Sequence, residues 1–255
     1  MSTGRFARFA YRLTEQIADP IRATRGAAGY LSYVRDWWRY RRLEPAENVP
    51  LLDLYPQVHD RRAFTAIDAH YFYANGWAMR RITAARPRVH VDIASQVMFV
   101  NLLAAALPVV FVDYRPLERT IEGLRPVGAN ILALPFRDDS IRSLSSLHVA
   151  EHIGLGRYGD PLDAMGTRKA AGELTRVLQP GGDLLFAVPV GRTRVCFNAH
   201  RIHDPRLILD YFGILDLVEF SAVDDQGNYI ENADPGRFAQ SEYACGLFRF
   251  RKRQG

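Results

Sequence analysis

The residues with the most chemistry per unit length lie between His148 and His203. HVAEH places His148, Glu151 and His152 within five positions, so two imidazoles that titrate near neutrality share a short segment with a carboxylate able to orient one of them. GLGRYGDP (Gly154–Pro161) follows at once, and its three glycines permit a sharp fold that brings Arg157, Tyr158 and Asp160 beside His152. A second polar cluster, Asn198, His200, Arg201 and His203, comes about forty residues later. General acid–base chemistry on a hydroxylated, anionic acceptor is what such side chains could perform. HVAEH also fits the H-x-x-E-H pattern of a zinc peptidase, which needs both histidines one turn apart on a helix. Here the pentapeptide follows a strand-like run and leads into Ile153-Gly154-Leu155-Gly156, which cannot continue a long helix, so no metal is expected at it.

The elements that would position these groups alternate between strand and helix. Strand-like runs are expected at Arg88–Ala94, Pro108–Val112, Asn130–Ala133, Ser143–Leu147, Asp183–Val188, Leu215–Ala222 and Ala244–Arg251, with helices at Val97–Ala106, at the run ending at Leu178, and at Pro205–Phe212. Alternating strands and helices make a parallel, doubly wound α/β sheet, and ligands of such sheets sit at the carboxyl ends of the strands. Asp92 and Asp113 close the first two runs, about twenty residues apart, which suits an acidic anchor for a ribose at Asp113. The turn at Ala94-Ser95 lacks the glycine usual there, and an alanine is expected to fit only at negative φ. Pro180-Gly181-Gly182 reads as a tight structural turn.

LPFRDDSI, HVAEHI and RVLQPGGDLLFAVP, in that order and spacing, resemble a class I S-adenosylmethionine (SAM)-dependent methyltransferase. GLGRYGDP and FNAHRIHDP resemble a narrower bacterial branch of that superfamily, known as a domain of unknown function. The resemblance implies a Rossmann-like fold with a seven-stranded, mostly parallel sheet, an antiparallel last strand and SAM as cofactor. It places Asp92, Ala94, Ser95, Asp113, Asn130 and His148 on the cofactor, with Asn130 at the adenine amino group and Leu134, Pro135 and Phe136 as an apolar slot for its ring. It makes the helical Ala63–Thr83 a cover for the site, with Tyr71, Tyr73 and Trp77 as candidate walls or, equally, as core. Methyl transfer to an alcohol needs a base; His152 fits, with Asp160 or Glu151 as orienting partner, and Arg157, Tyr158, Asn198, His200 and Arg201 around the acceptor. A sugar, glycan or lipid-linked acceptor of cell-surface assembly is the expectation. The alternative is a methyltransferase-like module that binds without catalysing, suggested by Ala94 and Asn130.

The 255 residues carry a net charge of +5, and its distribution is uneven. Nine arginines and three acids give Met1–Arg42 a charge of +6, so the remainder is close to neutral. Phe6, Phe9, Leu13, Ile17 and Ile21, then Tyr30, Tyr33 or Val34, and Trp37 recur at helical spacing. Residues 1–43 therefore read as a basic amphipathic arm, residues 44–62 with three prolines from Glu44 to Pro56 as a linker, and residues 63–255 as the main domain. The arm suits packing within a homodimer or contact with an anionic membrane surface better than nucleic acid, for which no module accompanies the arginines. Two distant cysteines, Cys196 and Cys245, suit a reducing compartment. The most apolar run, Val97–Val112, is broken by Asn101 and Pro108 and is shorter than the ~20 residues of a membrane span. With no leader-like apolar block near Met1, the cytoplasm is expected, extending to the inner face of the membrane.

Overall fold

The computed structural model describes residues 19–45, 47–61, 63–119 and 121–254. The chain divides into two compact units, Met1–Ala66 and Ile67–Gly255. In the first, helix α1 spans Pro20–Tyr40. Its Asp36 takes ion pairs from Arg35 and from Arg61, and Arg41 lies 5.1 Å from the centre of the Trp37 ring. The expected apolar positions Phe6, Phe9, Leu13 and Ile17 lie outside the described residues. No helix among the described residues is long and apolar enough to cross a membrane.

The second unit is a three-layer α/β/α sandwich. Its strands are β1 (His90–Ile93), β2 (Val109–Asp113), β3 (Leu124–Gly128), β4 (Ile141–Leu147), β5 (Leu178–Val190), β6 (Arg194–Cys196), β7 (His200–Ile202), β8 (Leu215–Val223), β9 (Tyr229–Ile230) and β10 (Ala244–Lys252). Eight of them form one sheet in the order β3-β2-β1-β4-β5-β10-β8-β9, and β6 and β7 form a separate hairpin. Neighbours from β3 to β5 are parallel, whereas β10 runs antiparallel between β5 and β8. The sheet thus exceeds the expected seven strands by the two-residue β9, with the hairpin as a further addition.

Side-chain alternation assigns the two faces. Leu184, Phe186 and Val188 of β5 pack with helices α4 (Gly166–Val177) and α5 (Pro205–Tyr211), while Leu185 and Ala187 pack with α2 (Ala69–Ala85) and α3 (Val97–Ala104). Both faces are covered, so β5 is apolar without interruption from Leu184 to Val190, as a strand buried on both sides requires. Each buried large side chain contributes about 1.5–3 kcal/mol of transfer free energy. Trp77 of α2 is fully buried in this core and its Nε1 donates to Glu219 of β8 at 2.8 Å, where Arg81 also binds. Tyr73 stacks on Tyr229 with ring centres 5.4 Å apart. Of the three candidate walls, Trp77 and Tyr73 are therefore framework.

The third strand departs from expectation. It lies at Leu124–Gly128, and Asn130 merely follows it, bridging to Ala133 in a tight turn. Pro126 and Gly128 weaken the local strand signal of LRPVG, since proline donates no hydrogen bond and glycine lowers strand propensity. β3 is the outer strand of the sheet and pairs only with β2, which is where a proline can be accommodated.

Candidate functional site

The carboxyl end of β1 is built on a fully buried polar chain. Ser145 of β4 donates to Asp92 Oδ2, so its oxygen is left to accept from His90 Nε2 at 2.8 Å, and Ser143 meets His90 Nδ1 at 2.8 Å. Burial pushes the His90 pKa down to about 3 and that of Asp92 up to about 6, even though Ser145 and Ser95 hydrogen-bond the carboxylate. Asp92 also accepts from the Ser95 backbone at 3.0 Å and its hydroxyl at 2.7 Å, and Ser95 Oγ accepts from the Leu147 amide. Asp92 and Ser95 thus lock the β1–α3 turn to β4 from inside the protein; they do not face the cavity described next, contrary to a direct cofactor role.

Ala94 sits at the apex of that turn with φ +56°, not at the negative value expected for a non-glycine residue. The Asp92–Ser95 lock and the Ala94 N–H to Val112 carbonyl bond of 2.8 Å hold the left-handed geometry whatever the side chain. A left-handed L-residue costs about 1–2 kcal/mol, against about 0.4–1 kcal/mol of unfolded-chain entropy that glycine would forfeit. Ala94→Gly is expected to stabilise the fold by about 0.5–1 kcal/mol, raising Tm by roughly 1–4 °C in a thermal melt. An unchanged or lowered Tm would mean that packing of the methyl group outweighs the strain.

A cavity of about 230 Å³ opens at the carboxyl ends of β1, β2 and β4. Ala94, Asp113, Asn130, His148, His152, Tyr158 and Asp160 all line it. Asp113 Oδ1 accepts from the Arg115 backbone at 2.7 Å, which fixes the carboxylate and leaves Oδ2 for a ligand. Asn130 Oδ1 accepts from the Leu132 amide at 2.9 Å, so the side chain closes its own turn. The apolar wall is supplied by Ile131 and Leu132, not by the three residues expected. Leu134 belongs to the core, its N–H donating to Glu173, and Pro135 and Phe136 line a different hollow beside Arg137 and Ile141. The misplacement follows from that of the third strand.

HVAEH forms a strand end followed by a single 3-10 turn, Ala150–His152, not the α-helix a zinc H-x-x-E-H site needs. His148 has φ +57°, uncommon for a non-glycine residue and held here by its N–H bond to the Ala187 carbonyl. Glu151 is 1% exposed, with Oε1 3.2 Å from His148 Nδ1 and 3.8 Å from His152 Nε2. Burial alone would raise the Glu151 pKa, but the hydrogen bond and charge of His148 bring it below the usual carboxylate range. Burial likewise opposes charge on His148, yet the Cys245 sulfur and Glu151 outweigh it and raise the imidazole pKa. His152 Nδ1 donates to the Ala199 carbonyl at 2.6 Å, so in the neutral ring Nε2 is the proton acceptor.

The glycine loop is braced from within. Asp160 accepts from the Gly154 amide at 2.6 Å and the Tyr158 amide at 3.3 Å, which commits its carboxylate to the loop backbone and not to His152. Gly154 has φ +77° and lies against the Asp163 backbone with no room for a β-carbon. Arg201 is buried, donating to the carbonyls of Ile153 at 2.5 Å and Asp163 at 2.8 Å, so it is a brace and not an acceptor anchor. Arg157 donates to the Ala199 carbonyl at 3.0 Å and lies 5.2 Å from the centre of the Tyr158 ring, with Arg115 4.6 Å from it. The hairpin β6–β7 brings Asn198 and His200 near the same edge; Asn198 is exposed, and His200 lies with its ring centre 6.5 Å from that of His152. Neither lines the cavity itself.

Ile131, Leu132, Arg115, His70, Tyr243 and Cys245 were not among the residues singled out for the site. Tyr71 and His70, with ring centres 4.8 and 5.7 Å from that of His148, connect the expected helical cover to this region. Asp68 caps α2 by accepting from the His70 and Tyr71 amides, and this N-cap signature ahead of a histidine–aromatic pair is the sequence signal that could have directed attention there.

Residues 136–239 match a family model described as "Caenorhabditis protein of unknown function, DUF268", a span that takes in both GLGRYGDP and FNAHRIHDP. No curated protein matches the sequence. Among solved structures, the N-methyltransferase NodS from Bradyrhizobium japonicum, in complex with S-adenosyl-L-homocysteine (SAH), is similar at TM-score 0.51 and 14% identity, over 86% of this chain and 98% of that one. The YcgJ protein from Bacillus subtilis is similar at TM-score 0.50 and 15% identity, over 72% and 100%. The 1,6-didemethyltoxoflavin-N1-methyltransferase from Burkholderia thailandensis, with its substrate and SAH bound, is similar at TM-score 0.50 and 14% identity, over 76% and 94%. The fold is therefore the Rossmann-like α/β fold of class I SAM-dependent methyltransferases.

Proposed function

We propose that this protein is a SAM-dependent methyltransferase that methylates a hydroxyl of a small hydroxylated acceptor, of the sugar or glycan kind. The observation that carries the reading is that one cavity is shared by Asp113 at the end of β2 and His152 just beyond β4. Asp113 offers Oδ2 to the ribose hydroxyls, and Ile131 and Leu132 offer apolar contact to the adenine ring. SAM, when bound, supplies a methyl group already activated on a sulfonium, so the chain has mainly to align the acceptor and exclude water. His152 Nε2 accepts the hydroxyl proton. The Ala199 carbonyl keeps the ring in the acceptor tautomer, and Glu151, 3.8 Å from Nε2, compensates the positive charge that develops there. The Tyr158 and Arg115 side chains, stacked at 4.6 Å, also line this cavity.

Support for an oxygen acceptor comes from the histidine base and not from the similar structures, two of which act on nitrogen. Titration calorimetry with SAM and SAH tests the reading: saturable, one-to-one binding of both is expected. Binding of neither would overturn it in favour of a module that binds without catalysing. The methyl group of Ala94 in the turn and the committed oxygen of Asn130 are the features on the side of that second reading.

A further inference from the structure

Behind the cavity, three side chains from distant parts of the chain converge in a way that hydrogen bonding alone does not require. His70 lies in the first turn of α2, His148 just beyond β4, and Cys245 near the start of β10. One ligand atom from each lies within 4.8 Å of the other two, and the Cys245 sulfur is 3.3 Å from His148 Nε2. In a tetrahedral zinc site with the usual bond lengths, two nitrogens stand about 3.4 Å apart and a nitrogen and a sulfur about 3.6 Å apart. One edge of the triangle is close to that length, and the other two are no longer than 4.8 Å.

The outer partners are those of metal-bound histidines. His148 presents its other nitrogen, Nδ1, to the buried Glu151 carboxylate at 3.2 Å. His70 is hydrogen-bonded to the Tyr243 backbone. A ligating histidine characteristically donates its second N–H to a carboxylate or a carbonyl, which fixes the tautomer and makes the ligating nitrogen more basic. Cys245 is fully buried, and His70 and His148 are less than a tenth exposed. Tyr71 and Tyr243 pack on the imidazoles with ring centres 4.8 Å away, keeping bulk water out.

We propose that His70, His148 and Cys245 bind one divalent zinc-type ion, with Glu151 as the positioning residue behind His148. One thiolate and two imidazoles suit zinc over magnesium or calcium, which prefer oxygen ligands. Three protein ligands leave a fourth, exchangeable position, as in sites where a metal polarises a bound molecule. This set differs from the H-x-x-E-H pair, since His152 takes no part. The proposal stands independently of SAM binding.

The test uses the full-length protein after removal of metal with a chelator, with cobalt(II) and zinc(II) as probes. One equivalent of cobalt is expected to produce a thiolate-to-metal charge-transfer band and the strong visible bands of four-coordination, both erased by one equivalent of zinc. Zinc should raise the wild-type melting temperature, a readout that needs no variant. Cys245→Ser should abolish the charge-transfer band, Cys196→Ser should leave it intact, and Glu151→Gln should weaken zinc binding about 10- to 100-fold. Cobalt that stays weakly coloured and six-coordinate in the wild type, or a charge-transfer band that survives Cys245→Ser, would overturn the assignment. SAM binding measured on the same metal-free sample reports on the transfer reading separately.

Discussion

Replacing His152 by alanine is expected to lower methyl-transfer turnover roughly 10²- to 10⁴-fold while leaving SAM affinity nearly unchanged. The asymmetry follows from the proposed roles, the imidazole at the acceptor proton and Asp113, which ends a different strand, at the ribose. His152 Nε2 is the proton acceptor because Nδ1 is engaged by Ala199 at 2.6 Å. Gln at this position could still hydrogen-bond the hydroxyl but could not take its proton, so His152→Gln should be as slow as His152→Ala. SAH release, followed with a panel of hydroxylated sugars, gives the rate, and calorimetry gives the affinity. Either variant turning over at the wild-type rate would remove His152 from the reaction.

The second large effect is expected at the cofactor. Asp113→Ala should weaken SAM binding by about 2–3 kcal/mol, or roughly 30- to 150-fold, because a charge-assisted, two-pronged contact to the ribose is lost. Asp113 Oδ1 accepts from a backbone amide only two residues away, a local bond whose loss leaves the strand pairing of β2 intact. The variant should therefore melt close to the wild type, separating lost binding from lost folding. Equal SAM affinity in wild type and Asp113→Ala would mean that the ribose lies elsewhere in the cavity.

Much of the framework was legible from local pattern. Six of the seven expected strands coincide in place with observed ones, because alternating and continuous apolar runs report directly on sheets covered on one or both faces. β3 escaped because its Pro126 and Gly128 carry turn chemistry, and only its edge position makes them tolerable in a strand. That one displacement put the expected apolar slot at Leu134–Phe136, whereas Ile131 and Leu132 are the residues that line the cavity. Polar residues near the edge were also recognisable, but their roles were not. Arg201 and Asp160 have the composition of ligand-binding groups, yet Asp160 is committed to the backbone of the glycine loop and Arg201 to the carbonyls of Ile153 and Asp163 that flank it.

By itself, the sequence determined the α/β alternation, the carboxyl-edge placement of Asp113 and His152, and the sharp loop that follows them, since each depends on residues only a few positions apart. Tertiary structure alone decided that Ala94 adopts a left-handed turn, because the Asp92–Ser95–Ser145 chain that imposes it joins β1 to β4 across more than fifty residues. It alone brought His70, His148 and Cys245 together from three elements. Side-chain convergence of that kind depends on strand register and helix docking, which shift direction with every residue of offset, and no local pattern along the chain encodes them.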